Sequence, residues 1–320
     1  MKISYPILLL FLLFGTIALT SCSTPNSQST SSLSETQVSD RKTTIYATNY
    51  PLKYFAEFIG GEAIQVKFPI PTDVDPAFWQ PNAEIISQLQ QGDLILLNGA
   101  TYEKWLDQVS LPESKLINTS SKFQDQYIPI KSAITHSHGP GGEHSHTDTA
   151  FTTWLNLQFA IKQAQSIRDA LSEIMPEQKE IFRANYQALE KDLLDLDRQI
   201  QSIVATEPDQ NFIASHPVYD YLQQGYGIKL ESVHWEPEEY PTEEQWQELQ
   251  VILQKQPAQW MIWEANPNQK TVTKLKTMGI NSLVFAPVAN NPDTGDFLSI
   301  MQRNIEDLKQ AFSQNNIQNN

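Results

Sequence analysis

Four of the six histidines fall within eleven residues, His136, His138, His144 and His146, as two His-x-His pairs separated by Gly139-Pro140-Gly141-Gly142-Glu143. Imidazole is the commonest protein ligand for borderline transition metals. In extended backbone the two rings of such a pair project to one side about 6.5–7 Å apart, within reach of a single ion. The Gly/Pro turn could fold one pair against the other. The stretch is a candidate cation trap, and because Gly and Pro do not preorganise a tight site, the capture expected is weak or transient. The competing reading is a polar loop whose histidines only titrate. Enzymatic chemistry finds little footing: Ser215 lacks a G-x-S-x-G frame, and G-x-x-x-x-G-K, G-x-G-x-x-G and H-E-x-x-H patterns are all missing from the chain. The acidic run Glu236-Pro237-Glu238-Glu239 reads as a solvated turn rather than an acid/base pair.

The elements that must position these groups alternate between short β-rich runs and helical patterns, which argues for an α/β fold with largely parallel sheets. In the first half, strands are expected at 43–48, 64–68, 93–97 and 115–118, and helices at 52–59, 82–91 and 102–109. In the second half, strands are expected at 212–215, 228–233, 261–264 and 282–285. Helices there are expected at 218–224, 243–254, 269–278 and 297–312, with Thr242 and Gln245 as a capping-box pair. Between the halves, Phe182, Tyr186, Leu189, Leu193, Leu196, Ile200 and Ile203 recur at alternating spacings of four and three. They predict one linking helix over 176–206, of about 45 Å at the usual rise, able to brace two lobes. A coiled-coil dimer seam is the less favoured alternative. On this plan His216, His234 and Glu264 close consecutive strands of the second lobe and face the carboxyl edge where open α/β sheets bind ligands. Each also has a plainer role, as a loop histidine, a packed strand-end residue and a helix cap.

The N-terminus indicates where the chain works. Lys2 precedes an apolar run over Ile7–Leu19 that ends at Leu19-Thr20-Ser21-Cys22. The run is shorter than the roughly 20 residues that span a bilayer and reads as an export signal. The tetrapeptide resembles a bacterial lipobox, which would make Cys22 a lipidated N-terminus. Cys22 is the chain's only cysteine, so disulfides and zinc-thiolate sites drop out. The polar residues that follow read as a flexible tether. The organisation expected is a signal peptide over 1–21, a lipidated tether over 22–42, an N-terminal lobe over 43–175 with a His-rich loop at 121–150, the linking helix, and a C-terminal lobe over 207–320. The formal net charge of −15 disfavours nucleic acid and anionic headgroups and mildly concentrates cations.

Several local motifs point to one family. Val74-Asp75-Pro76 with Pro81 is similar to a V-D-P-H-x-Y-x-P segment. The stretch from Asp93 through Asn98-Gly99 to Glu103-Lys104-Trp105-Leu106 is similar to A-D-L-V-x-x-N-G-x-x-x-E-x-W-L. Trp154-Leu155-Asn156 echoes H-x-W-L-D-P, Ser215-His216 with Tyr221 echoes S-H-x-x-x-x-Y, and Trp263-Glu264 echoes an E-P strand end. In their order and spacing these segments resemble the cluster A-I solute-binding lipoproteins of metal ABC transporters, the zinc- and manganese-binding group. The resemblance implies two lobes joined by a long helix, with an interlobe cleft in which four side chains, commonly three His and one carboxylate, hold the ion. Here the corresponding positions are Ala77, Thr152, His216 and Ala286, so only His216 matches.

Either direct metal binding has been lost, or the ion's shell is assembled from other residues: His216, His234 and Glu264, completed by His144 or His146 if the loop folds over the cleft, with His136 and His138 also in view. Trp79, Trp154, Trp235 and Trp263 lie beside motif positions and, with Thr152, could wall a cleft for a larger ligand such as a metal chelate. The plainer reading of each Trp is core packing. The function expected is an extracytoplasmic ABC-transporter receptor for a divalent metal, zinc before manganese because imidazoles dominate the donors. It would be a monomer that docks on a membrane permease from the cell envelope. The alternatives are a receptor for a non-metal or chelated ligand, and a periplasmic zinc buffer acting through the His-rich loop.

Overall fold

The computed structural model describes residues 42–130, 135–137, 143–145 and 149–318. The signal, the tether, Cys22, His138 and His146 lie outside the described residues. Two four-stranded parallel sheets organise the chain. The first has the order β2-β1-β3-β4, from β1 (Thr43–Ala47), β2 (Ile64–Lys67), β3 (Leu94–Leu97) and β4 (Leu116–Asn118). β5 (Thr135–Ser137) and β6 (Glu143–Ser145) form a separate antiparallel ribbon that brings His136 opposite His144 in backbone register. The second large sheet has the order β10-β9-β7-β8, from β7 (Asn211–Ala214), β8 (Lys229–Ser232), β9 (Trp260–Trp263) and β10 (Asn281–Val284). Parallel strands covered on both faces read as continuous apolar runs, as in Leu94-Ile95-Leu96-Leu97 and Trp260-Met261-Ile262-Trp263, all buried.

Helices return the chain between strands and start where asparagine or threonine can cap them. Asn49 accepts from the Leu52 amide at the head of α1 (Tyr50–Gly60), and Asn82 from Ile85 at the head of α2 (Ala83–Gln91). Thr242 and Gln245 make the expected reciprocal capping box on α6 (Glu243–Lys255). The segment expected as a helix over 102–109 is a 3₁₀ turn at Lys104–Gln108.

The linkage differs from the single helix read over 176–206. α3 (Leu157–Ile174), unassigned in the sequence, turns through Pro176–Gln178 into α4 (Lys179–Val204), and the two pack as a hairpin. α3 escaped notice because its buried face is built partly from Ala160, Ala164, Ala170, Gln163 and Ser166, small or polar residues that carry little apolar periodicity. α4 buries Phe182, Tyr186, Leu189, Leu193, Leu196, Ile200 and Val204 and packs against α1, α3, α5 (Asp220–Tyr226) and α8 (Phe297–Gln318). At 26 residues it runs about 39 Å.

A polar hub fastens the helices. The α4 carboxylate Asp197, 3% exposed, accepts from Tyr226 Oη at 2.9 Å, Gln158 Nε2 at 2.7 Å and Gln201 Nε2 at 2.8 Å. Three donors offset the cost of burying the charge and tie α4 to α3 and α5. Leu193→Ala, at a fully buried position in the middle of the stripe, should cost about 2–5 kcal/mol of stability. Replacing exposed Gln187, nearly two turns away, should stay within about 0.5 kcal/mol. Denaturant unfolding of both variants checks the contrast, and equal losses would contradict the bracing role.

Candidate metal centre

The carboxyl ends of both sheets open onto one cavity of about 820 Å³. Its wall is drawn from the segments that follow β2 (Thr72 to Pro76, Phe78), β3 (Tyr102), β4 (Pro129, Ile130, Ala150 to Thr152, Trp154), β7 (His216 to Val218, Asp220), β8 (Glu236 to Glu238), β9 (Glu264, Ala265) and β10 (Pro287 to Asn290). This is the edge where the strand directions of a parallel sheet place ligands. Across the cavity, Trp154 Nε1 donates to the Pro287 carbonyl at 2.7 Å and Thr152 Oγ1 to the Val218 carbonyl at 2.6 Å. Asn290 Nδ2 donates to the Pro71 and Val74 carbonyls, both at 2.7 Å, which anchors the loop carrying Asp75 to the second lobe.

The loop after β3 is held in an unusual shape. Gly99, Ala100 and Thr101 all adopt positive φ, of 77°, 50° and 60°. At Gly99 a Cβ would run into the side chains of Asn118 and Ser120, so the position needs glycine on two counts. The loop is closed by Glu103, whose carboxylate accepts from the Asn98 amide at 2.6 Å, the Gly99 amide at 3.1 Å and Thr48 Oγ1 at 2.6 Å. Asn98 donates onward to the Phe151 carbonyl at 2.8 Å, while its Oδ1 accepts from Asn49, Thr153 and Gln163. The N-G-x-x-x-E pattern thus builds a bend that delivers Tyr102 to the cavity wall.

The polar chemistry of the wall is one-sided. Asp73, Asp75, Asp220, Glu236, Glu238 and Glu264 supply carboxylates and His216 supplies one imidazole, with neither Lys nor Arg among the described lining residues. Burial pushes Glu264 up to about 8, with Glu236, Asp75 and Glu238 adding repulsion in that order. Glu264 therefore feels acids of both lobes, Asp75 on the first and Glu236 and Glu238 on the second. Burial also raises Asp220, and it raises the Tyr102 hydroxyl, with Asp75 and Glu103 adding to the shift. Such a wall attracts cations and repels anions.

The structure distributes the expected residues unevenly. His216 and Glu264 line the cavity. His234 sits behind, its ring perpendicular to that of His216 with centroids 5.9 Å apart, and burial lowers its pKa. Thr152 and Trp154 line the wall, Trp154 edge-on to Tyr102 at 5.9 Å. The other three tryptophans pack into cores instead: Trp79 against Trp105 at 6.0 Å, and Trp235 and Trp263 in a cluster with Trp246. Ala77 is buried, and Ala286 is pinned through its amide and carbonyl by Asn304, so neither offers a donor to the cavity.

The acidic run forms the turn expected, with the Glu239 amide donating to the Glu236 carbonyl and Glu238 and Glu239 exposed, and Glu236 and Glu238 of that turn also line the cavity. Their position between a strand end and Pro237 was the available signal, as was Asp75 within Val74-Asp75-Pro76. Among the described residues no three His, Asp or Glu side chains stand placed to close on a metal ion as they are.

A family model, ZnuA: zinc-uptake complex component A periplasmic, matches residues 45–311. The chain is 26% identical over 286 residues to the zinc-binding lipoprotein AdcA of Streptococcus pneumoniae, covering 86% of this chain and 57% of that relative, so it spans little more than half of AdcA. It is 26% identical over 319 residues to the metal ABC transporter substrate-binding lipoprotein ScbA of Streptococcus cristatus, covering 95% and 98% of the two chains. The crystal structure of the Zn(II)-bound ZnuA-like domain of Streptococcus pneumoniae AdcA superposes with a TM-score of 0.71 at 24% identity, covering 86% of this chain and all of that domain. At that identity the superposition speaks to the fold.

Glu103 yields a pH prediction. Its buried carboxyl is pushed up to about 7 by burial, against the pull of its three donors. The folded protein then keeps a proton that the unfolded chain releases near 4.5, so this group's contribution to stability is full below 4.5 and is lost as pH rises through about 7. Glu103→Gln should flatten the fall in unfolding free energy between pH 4.5 and pH 8 by up to about 3 kcal/mol. An unchanged slope would assign the fall to other groups.

Proposed function

The chain belongs to the zinc-uptake complex component A periplasmic family, and from that premise we propose that it is the extracytoplasmic solute-binding component of a metal-uptake ABC transporter. It binds a divalent cation in the interlobe cavity, zinc before manganese, and presents it to a membrane permease. The observation that carries this reading is the cavity wall, six carboxylates and one imidazole from both lobes without a Lys or Arg among the described lining residues. A site with that polarity takes cations, and the imidazole favours a borderline metal. The zinc-binding lipoprotein AdcA and the Zn(II)-bound structure of its ZnuA-like domain support the choice of metal. The leader and Leu19-Thr20-Ser21-Cys22 support export and a lipid anchor at Cys22, with the folded lobes acting as a monomer at the outer face of a bacterial membrane. Release follows rearrangement of the lobes or of the cavity loops, limited in reach by α3 and α4.

A second reading has one observation in its favour. Phe78, Tyr102, Phe151 and Trp154 give the cavity an aromatic wall, and its volume of about 820 Å³ is on the scale of small-molecule sites. A cation carried in an organic chelator would use both. Cells lacking this chain should take up radiolabelled zinc more slowly under chelator-imposed zinc limitation, and excess zinc should restore their growth. Normal uptake in the deletion strain would sink the zinc reading. Uptake lost only for chelated zinc would favour the second.

A further inference from the structure

Pro287, Val288, Ala289 and Asn290 follow β10 and line the cavity, and the bonds they make reach across to the opposite lobe. The Pro287 carbonyl accepts from Trp154 Nε1 at 2.7 Å and the Ala289 carbonyl from the Tyr50 amide at 2.8 Å. Asn290 Nδ2 donates to the Pro71 and Val74 carbonyls, both at 2.7 Å. Trp154, Tyr50, Pro71 and Val74 all belong to the first lobe. Just before this segment, Ala286 is tied to α8 of the second lobe, its amide donating to Asn304 Oδ1 at 3.0 Å and its carbonyl accepting from Asn304 Nδ2 at 2.8 Å. The chain therefore passes from one lobe's grip to the other's between Ala286 and Ala289. The pyrrolidine ring fixes φ of Pro287, so the adjustment this passage demands falls largely on Val288. Val288 adopts φ of 61° and is 9% exposed. A β-branched residue in the left-handed region is sterically strained, and such strain persists only where the surroundings over-determine it.

We infer that the segment 287–290 is a strained clasp: its bonds to the first lobe hold the cavity shut, and their parting lets Val288 return to negative φ, so the cavity opens at this edge. The balance is a fine one, because each hydrogen bond adds only modest net stability and the strain at Val288 works against the sum. Other bonds between the lobes lie elsewhere. The Ile128 and Leu157 amides donate to the hydroxyls of Tyr221 and Tyr226, which stand on α5 where it packs against α4, so they stay with the brace. Thr152 Oγ1 to the Val218 carbonyl is a single bond. Val288 is thus placed as a hinge, a loop residue that absorbs the backbone change of a closure. The clasp rests on the receptor reading above only for what its opening releases; the opening itself is a property of the metal-free protein.

Amide hydrogen exchange, followed by NMR on the full mature chain without metal, tests the clasp. The Tyr50 amide, whose acceptor is the Ala289 carbonyl, reports its parting. The Ser215 amide, bonded to the Ile262 carbonyl at 2.8 Å within the second lobe, reports unfolding of that lobe. Val288→Asn, a residue type that accepts positive φ, should slow Tyr50 exchange at least threefold relative to Ser215. Val288→Gly relieves the strain without a polar side chain and should act in the same direction. Asn290→Ala removes two of the bonds and should speed Tyr50 exchange about tenfold while Ser215 keeps its rate. Tyr50 exchange unchanged or faster in both Val288 variants would overturn the clasp. So would an Asn290→Ala effect equal at the two amides, because the bonds would then only add to the stability of the whole fold. Zinc titration of the unaltered chain decides the receptor function separately, so either reading can fail while the other stands.

Discussion

The structure depends on a constraint set by two helices. α4 buries a seven-residue apolar stripe between elements of both lobes, and its single buried charge, Asp197, is satisfied by side chains from α3, α4 and α5. The strands are parallel within each sheet, so all their carboxyl ends lie on one edge, and the brace holds the two edges facing a shared cavity. Short hydrogen bonds across the cavity, from Trp154 to Pro287, Thr152 to Val218 and Asn290 to Pro71 and Val74, add local stitches. Everything chemical about the site follows from side chains displayed at those strand ends.

What they display is electrostatically unsettled. Burial raises Glu264, with Glu236, Asp75 and Glu238 adding to the shift, and the described wall contains no Lys or Arg. Proteins ordinarily pair such charges. A wall of this composition attracts cations, and a divalent cation can meet two or more carboxylates at once. The strained bend through Gly99, Ala100 and Thr101 belongs to the same design, since the conformation held by Glu103 brings Tyr102 to that wall.

Much of this was legible in the residues. Alternating apolar runs located all eight strands of the two large sheets, and the stripe on α4 appeared at the right positions apart from Ile203, where Val204 is the buried residue. α3 was invisible because small and polar residues do its packing against α4. The site was harder. Histidine clustering drew attention to His136 through His146, whereas the cavity is built from dispersed acids, Asp75, Glu236 and Glu264, separated by up to 189 positions and related only through strand topology. Tryptophans beside motif positions pointed to an aromatic cleft. Only Trp154 among them lines the cavity, because the others sit on the strand faces or loops that fill the cores.

The central claim is that the cavity between the lobes takes a divalent cation. Calorimetric titration with zinc of the mature protein carrying H136A, H138A, H144A and H146A tests it directly. The account predicts one-to-one binding that persists without those four histidines. Zinc bound by the intact chain but not by this variant, or by neither, would contradict it.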